Sequence, residues 1–319
     1  MVQQKPSDPT SQVTRVPRAV QAHALPEVGP PPQMPADGGK PQASLPAPPP
    51  LPALHLPQFE QEMKCDKVVC SLSSVVPTRE FTHAAHAKAA PNAALWVYQI
   101  QENSTVVFPE NHAVELYALV LKGSLAVSSP QAETATLEEW SVAQAEGAGI
   151  SLSAATASTV AIAVVSKAGP LDAAIAESNR LSRHHRGRAT MRVVELRELP
   201  VVAWGNNRFS ARLAFGGEAT LPSVASFGIL GADAQGAIPT NVHATEWEHL
   251  VVLSGEGSIS LGQSSYPVRP GSVIQIEPGL THSFSPSGTQ PLLAVQLFSA
   301  KGPELRYLEL SRGAPSGRK

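Results

Sequence analysis

The sequence predicts an all-β protein: two tandem antiparallel barrels behind a proline-rich tail. Three observations predict it. Short runs of β-branched and aromatic residues, bounded by Gly, Pro, Asn or Ser, recur from about Leu95 to Ser299. The pattern of one half reappears in the other. Half of the 30 prolines fall within the first 57 of 319 residues.

The tail comes first. PPPQMPADGGKPQASLPAPPPLPALHLP is rich in Pro, Ala and Gln and poor in aromatics. Proline fixes φ and removes a backbone donor, so such a segment cannot build a hydrogen-bonded ladder. Residues 1–58 are therefore expected to be a disordered tail or tether. A proline-rich ligand for another domain is the alternative. Strands LWVYQI, YALVLKG and TVAIAVVS build a first barrel over 59–168. In GPLDAAIAESNRLS, Leu171, Ala174 and Ile175 stand at helical spacing behind Pro170, which suits a first helical turn. A linker helix and the basic connector RHHRGR thus occupy 169–190. Strands MRVVELREL, SVASFGIL, HLVVLSG, GSISLG, GSVIQIEP and PLLAVQLFS build a second barrel over 191–312, and 313–319 form a short tail. Many short strands at regular spacing argue for a sandwich or barrel.

The repeat is explicit. YALVLKGSLAV at 117–127 resembles HLVVLSGEGSISL at 249–261, and SVAQAEGAGISLS at 141–153 resembles SVIQIEPGLTHSF at 272–284. Gly123 stands 28 positions before Ser151, and Gly255 stands 27 before His282. Two elements repeated at nearly one separation indicate a duplicated fold.

Composition narrows the partners. A formal net charge of −2 and a pI near 6.6 give no electrostatic footprint for nucleic acid or an anionic membrane. No uninterrupted apolar run approaches the ~18 residues of a membrane helix, and MVQQKPSDPT has no apolar signal-peptide region. Cys65 and Cys70 read as two thiols or as one local disulfide in an exported protein. Location is cytoplasmic by default, with export left open, and a homodimer is also left open.

The second repeat carries the chemistry. In NVHATEWEHLVVLSGEG, Asn241 and His243 are two apart and share a strand face; Glu248, Leu250 and Val252 share the next. A Pro-Gly turn then precedes His282, and a hairpin-like return brings it across from His243 and Glu248. Two imidazoles and a carboxylate suit one divalent ion, Fe(II), Mn(II), Zn(II), Ni(II) or Co(II), with positions left open for water or a small-molecule ligand.

These residues resemble the cupin family. Its first motif reads Gly, five residues, His-x-His, three or four residues, Glu, six residues, Gly. Here Gly236 leads, one position closer than the pattern asks. Asn241 and His243 take the His positions, Glu248 follows after four residues, and Gly255 after six more. The second motif runs from Gly271 through Pro278 and Gly279 to His282, with Glu277 in place of a Pro and Pro286 in place of an Asn. The resemblance implies two tandem jelly-roll (double-stranded β-helix) barrels, a metal held by His243, Glu248 and His282, and Asn241 as a weak fourth position. It implies no single reaction: a metal-dependent enzyme acting on a small organic acid or sugar-like molecule, and a non-catalytic binder of a small ligand or protein, both remain open. In the first repeat the same positions read Pro109, Asn111, Leu116 and Ser151, so no ligand set is expected there. His112 and Glu115 read as rim residues.

Other candidates have plainer readings. His83 and His86 have the spacing of one helix face, but without a third ligand they read as solvated histidines. His249 should face away from Glu248. Trp204 and Trp247 read as packing residues or pocket walls. Arg208 and Arg212, four apart, share a strand face and read as surface arginines or as partners of an anionic ligand. Gln275 reads either as an outer support of the metal site or, like Gln144, as a structural hydrogen-bonding residue.

Overall fold

The structure, a computed structural model, describes residues 51, 83–84, 91–130, 132–181, 190–216 and 223–312. The expectations for the tail, for Cys65 and Cys70, for His86, for the basic connector and for 313–319 lie outside the described residues.

The first barrel is built from β2 (Ala93–Ile100), β3 (Ser104–Phe108), β4 (Val114–Lys122), β5 (Leu125–Ser129), β6 (Ala132–Leu137), β7 (Ser141–Glu146), β8 (Ile150–Ala154) and β9 (Ser158–Ser166). The second uses β13 (Ala225–Ala232), β14 (Ile238–Asn241), β15 (Trp247–Ser254), β16 (Gly257–Leu261), β17 (Ser264–Val268), β18 (Val273–Ile276), β19 (His282–Pro286) and β20 (Leu292–Ser299). Strand order proves the repeat. One sheet runs β7-β4-β9-β2 in the first barrel and β18-β15-β20-β13 in the second. The facing sheet runs β3-β8-β5-β6 in the first and β14-β19-β16-β17 in the second. Each barrel is thus a double-stranded β-helix. The turns leaving β4 and β15 agree in detail. Gly123 and Gly255 have φ of 83° and 84°, and a Cβ on Gly255 would stand 2.7 Å from the Leu292 Cα.

The barrels exchange edge strands. β10 (Thr190–Glu195) pairs antiparallel with β7, so residues that the sequence assigns to the second barrel extend the sheet of the first. β1 (His83–Ala84) pairs in parallel with β18 of the second barrel. The backbone at His83 is therefore extended, and no helix face forms there. β11 (Val202–Trp204) and β12 (Phe209–Phe215) extend the second barrel beyond β13.

Burial follows from this layering. β5 and β8 alternate buried and half-buried residues, as strands with one face inward must. β4, β9 and β20 are buried almost throughout, because one face lines a barrel and the other meets the neighbouring barrel. Between the barrels Tyr117 stacks on Phe227 with ring centroids 5.2 Å apart. Glu115 is not a rim residue. It is 2% exposed, and its carboxylate accepts hydrogen bonds from Tyr117, Ser223 and Gln144, a buried polar knot that its sequence position beside the turn did not reveal. His112 is half-buried and pairs with Glu110.

A helix closes each barrel. α1 (Leu171–Leu181) buries Leu171, Ala174 and Ile175 in the first barrel's core, at the helical spacing read from the sequence. α2 (Glu304–Ser311) packs Tyr307 against the second. Among the described residues no helix is long and apolar enough to cross a membrane.

Candidate metal centre

His243 follows β14 in a loop held by its own carbonyl, which accepts from the Gly279 amide at 2.7 Å. Glu248 is the second residue of β15, paired with Ile276 on one side and Phe298 on the other. His282 opens β19 opposite Asn241 and Leu261. Barrel closure brings the three together. The Glu248 Oε2 lies 3.2 Å from Nε2 of His243 and 3.2 Å from Nε2 of His282. One donor atom from each residue falls within 4.8 Å of the others. Glu248 and His282 are buried and His243 is half-buried.

Each donor is oriented by a neighbour. The His282 Nδ1 lies 3.0 Å from the Leu280 carbonyl. A carbonyl can only accept, so Nδ1 carries a proton, and Nε2 faces Glu248, donating to it when the ring is protonated and free to bind a cation when it is not. The His243 ring stands edge-on to Phe298, with centroids 5.0 Å apart. The other Glu248 oxygen, Oε1, accepts from the Gln296 Nε2 at 2.6 Å. The same nitrogen donates to the Tyr307 hydroxyl at 2.9 Å. Tyr307, on α2, is stacked on Trp204 at 4.5 Å.

The electrostatics call for positive charge at the point of convergence. Burial alone would raise the Glu248 pKa, but hydrogen bonds from His243 and His282 and their charge outweigh it and hold the carboxyl well below its ordinary range. Burial would lower that of His282, yet the adjacent Glu248 carboxylate raises it. Lone pairs of an imidazole and a carboxylate oxygen 3.2 Å apart repel unless a proton or a cation lies between them. The donor set fits a divalent transition metal: two imidazole nitrogens and one carboxylate oxygen.

Asn241 lines the same cavity, but its amide nitrogen donates to the carbonyls of Pro239 and His282, at 3.1 and 3.3 Å. The remaining sequence candidates lie elsewhere. Arg212 is not among the residues that line the cavity; its Nη1 donates to the carbonyls of Leu196, Arg197 and Leu199, tying the chain before β11 to β12. Arg208 sits exposed, 3.9 Å from Asp233. His249 and Gln275 face each other on the outer side of the sheet, away from the cluster, and burial lowers the His249 pKa to about 4. Trp247 stacks on His249, whereas Trp204 walls the cavity. The supporting glutamine is Gln296, on β20, not Gln275. Its alternation with Ala294 and Phe298 was the available signal, since a lone polar residue in an inward-facing register stands out.

Strand register also corrects the first repeat. Ser151 pairs with Ser128 and lies on the half-exposed face of β8. Ile150, 1% exposed, takes the inward place that His282 takes in β19, and Phe108, its partner, takes that of Asn241. Leu116 stands for Glu248, as expected, and Ile162 for Gln296. The places of Asn241, Glu248, His282 and Gln296 are thus apolar in the first barrel, while that of His243 falls at Asn111, which is polar and buried.

The second barrel is a closed β-helix with an inward His–Glu–His cluster. Comparison places it. Residues 231–298 match the cupin domain family. Oxalate decarboxylase of Bacillus subtilis, a protein with Mn(II) centres, is similar over 66% of this chain and 70% of that one, with a TM-score of 0.50 and 11% identity. A putative glyoxylate-induced protein of Pseudomonas aeruginosa covers 67% of this chain and 82% of its own at 14% identity, with a TM-score of 0.47. Protein YlbA of Escherichia coli covers 66% and 78% at 14% identity, with a TM-score of 0.48. No curated protein matches the sequence.

Proposed function

We propose that the second barrel holds one divalent transition metal through His243, Glu248 and His282, and that a small molecule binds its open positions from within the barrel. The observation that carries the reading is the convergence of both Nε2 atoms on one carboxylate oxygen, each at 3.2 Å. The Mn(II) centres of the Bacillus oxalate decarboxylase, a structure of similar fold, support it. The bound ion would act as a Lewis acid toward a coordinated oxygen. The chain's own residues orient and shield. The Leu280 carbonyl fixes the His282 tautomer, Gln296 holds the Glu248 Oε1, and Trp204 with Tyr307 closes the mouth. Asn241 is a weak fourth position, reachable only through its amide oxygen.

A non-catalytic binding role is the second reading. It is favoured by the scarcity of acid–base groups: besides the cluster, Tyr307 is the one cavity residue whose buried proton stands near the site. Metal analysis of the purified protein, with calorimetric titration of Mn(II) and Co(II), tests the metal. Near-stoichiometric metal is expected, falling sharply in His282→Ala with the fold kept. A wild-type protein that takes up neither ion sinks the proposal.

A further inference from the structure

The cluster opens into a cavity of about 700 Å³ inside the second barrel. Its lining is one-sided in chemistry. From Glu248, strand β15 continues with Leu250 and Val252 on the same wall. At about 3.4 Å per residue, Val252 lies about 13–14 Å beyond the carboxylate along the strand. Leu230, Ile259, Ile274, Phe284 and Leu292 complete this deep part. Besides the cluster, the charged lining residues are Glu246 and Arg306, which are half-buried and exposed. No cationic side chain of the lining reaches the deep interior to meet a second carboxylate.

An open space of this kind is not dictated by the fold. In the first barrel the equivalent interior is filled by Trp96, Phe108, Leu116, Ile150 and Ile162, packed as one core. The second barrel keeps a core of its own around Val252, Ile259 and Ile274, and beside it lies the cavity, within one chain and one topology.

We propose that the natural ligand is amphipathic: a metal-coordinating oxygen head at His243, Glu248 and His282, and an uncharged aliphatic or aromatic body lying along Leu250, Val252 and Ile274. A compact dianion or a polyhydroxylated sugar would leave the walls unused, and would strip its own hydration without partners. The head-group half of this inference rests on the metal reading above. The body half rests on the cavity alone.

The test compares two probes with one head. Acetohydroxamic and octanohydroxamic acids present the same chelating group and differ by six methylenes. Each is titrated into the full-length, Co(II)-loaded protein by calorimetry, with oxalate as a third probe. Burial of a methylene strengthens binding about four-fold, so octanohydroxamate is expected to bind at least about 100-fold tighter than acetohydroxamate, and oxalate more weakly than octanohydroxamate. Ala294→Phe fills the cavity from β20 and should reduce the chain-length advantage below about ten-fold while leaving acetohydroxamate unchanged. Equal affinities of the two hydroxamates, or oxalate as the tightest probe, overturn the inference and leave the metal reading intact. Should the protein take up no Co(II), the metal reading fails by itself, and 1-octanol is titrated into the metal-free protein. Saturable octanol binding, lost in Ala294→Phe, supports the apolar body; no binding overturns it.

Discussion

Replacing Gln296 with Leu isolates the residue that holds the carboxylate proposed to bind the metal. Gln296 is 3% exposed, and its Nε2 donates to the Glu248 Oε1 at 2.6 Å, a short bond to a charged acceptor. Leucine keeps nearly the same shape, so little cavity opens; what is lost is the charge-assisted donor to Glu248 and, with it, the hydrogen bonds shared with the Tyr307 hydroxyl. A hydrogen bond to a charged group contributes about 1.5–3 kcal/mol, more when the surviving partner stays buried without water. Glu248 is 4% exposed, so little water can replace the lost donor on its Gln296 side. The metal-free variant should therefore lose about 2 kcal/mol of stability in urea denaturation, with an unchanged m-value. Loss of a group that orients a ligand costs about 10–100-fold in metal affinity, so Mn(II) titration should show that weakening. Both measurements are needed, because a general packing defect would lower stability and leave affinity alone. Wild-type metal affinity in a folded Gln296→Leu protein would refute the reasoning, since Oε1 would then need no donor to keep Oε2 on the metal.

Three further outcomes are expected. For the metal-free protein, the stabilisation from Glu248, whose pKa is depressed, is present above the ordinary carboxylate value of 4.5 and fades as pH falls through the folded value; that from His282, whose pKa is raised, is present below 6.5 and fades as pH rises through the folded value. Stability should thus peak between pH 4.5 and 6.5 in thermal melts, and saturating metal should abolish the alkaline decline because the ion replaces the imidazolium proton. Asn241→His places an imidazole opposite His282 on the paired strand and should tighten metal binding about ten-fold or more; unchanged affinity in titration would show that this corner points past the ion. Arg212→Ala removes the donor to three carbonyls and should cost about 1.5–3 kcal/mol in denaturation with metal affinity unchanged, which a ligand-binding role would not allow.

The barrels and the cluster were legible because their signals are local. Alternation marks a strand facing one core, and a glycine at positive φ marks the turn after β4 and after β15. Glu248 and His282 stand at fixed distances from Gly255 and Gly279, so spacing alone finds them. The edge-strand exchange was not legible. β10 looks the same in sequence whichever sheet it joins, and only long-range packing chooses β7. Glu115 was misplaced for a related reason. Its burial depends on Ser223 and Val224, which lie more than a hundred positions away.

Gln296 and Tyr307 show where a motif stops being enough. A motif names atoms that touch the ion; it says nothing of what aims them. Gln296 sits in PLLAVQLFS, a run that reads as a buried strand, and a glutamine there has no local reason to exist. Register supplies the reason: Gln296 is the partner of Leu250, two residues past Glu248 on the same wall. The first barrel makes the comparison within one chain. There the matching place is Ile162, the carboxylate's place is Leu116, and no polar support remains because nothing needs aiming. Among the described residues, the His–Glu–His cluster and its support are absent together from one barrel and present together in the other. Tyr307 extends this to the closing helix, since its hydroxyl shares the same Gln296 nitrogen that holds Glu248. The helix that closes the barrel is therefore coupled by two hydrogen bonds to the carboxylate that would hold the ion.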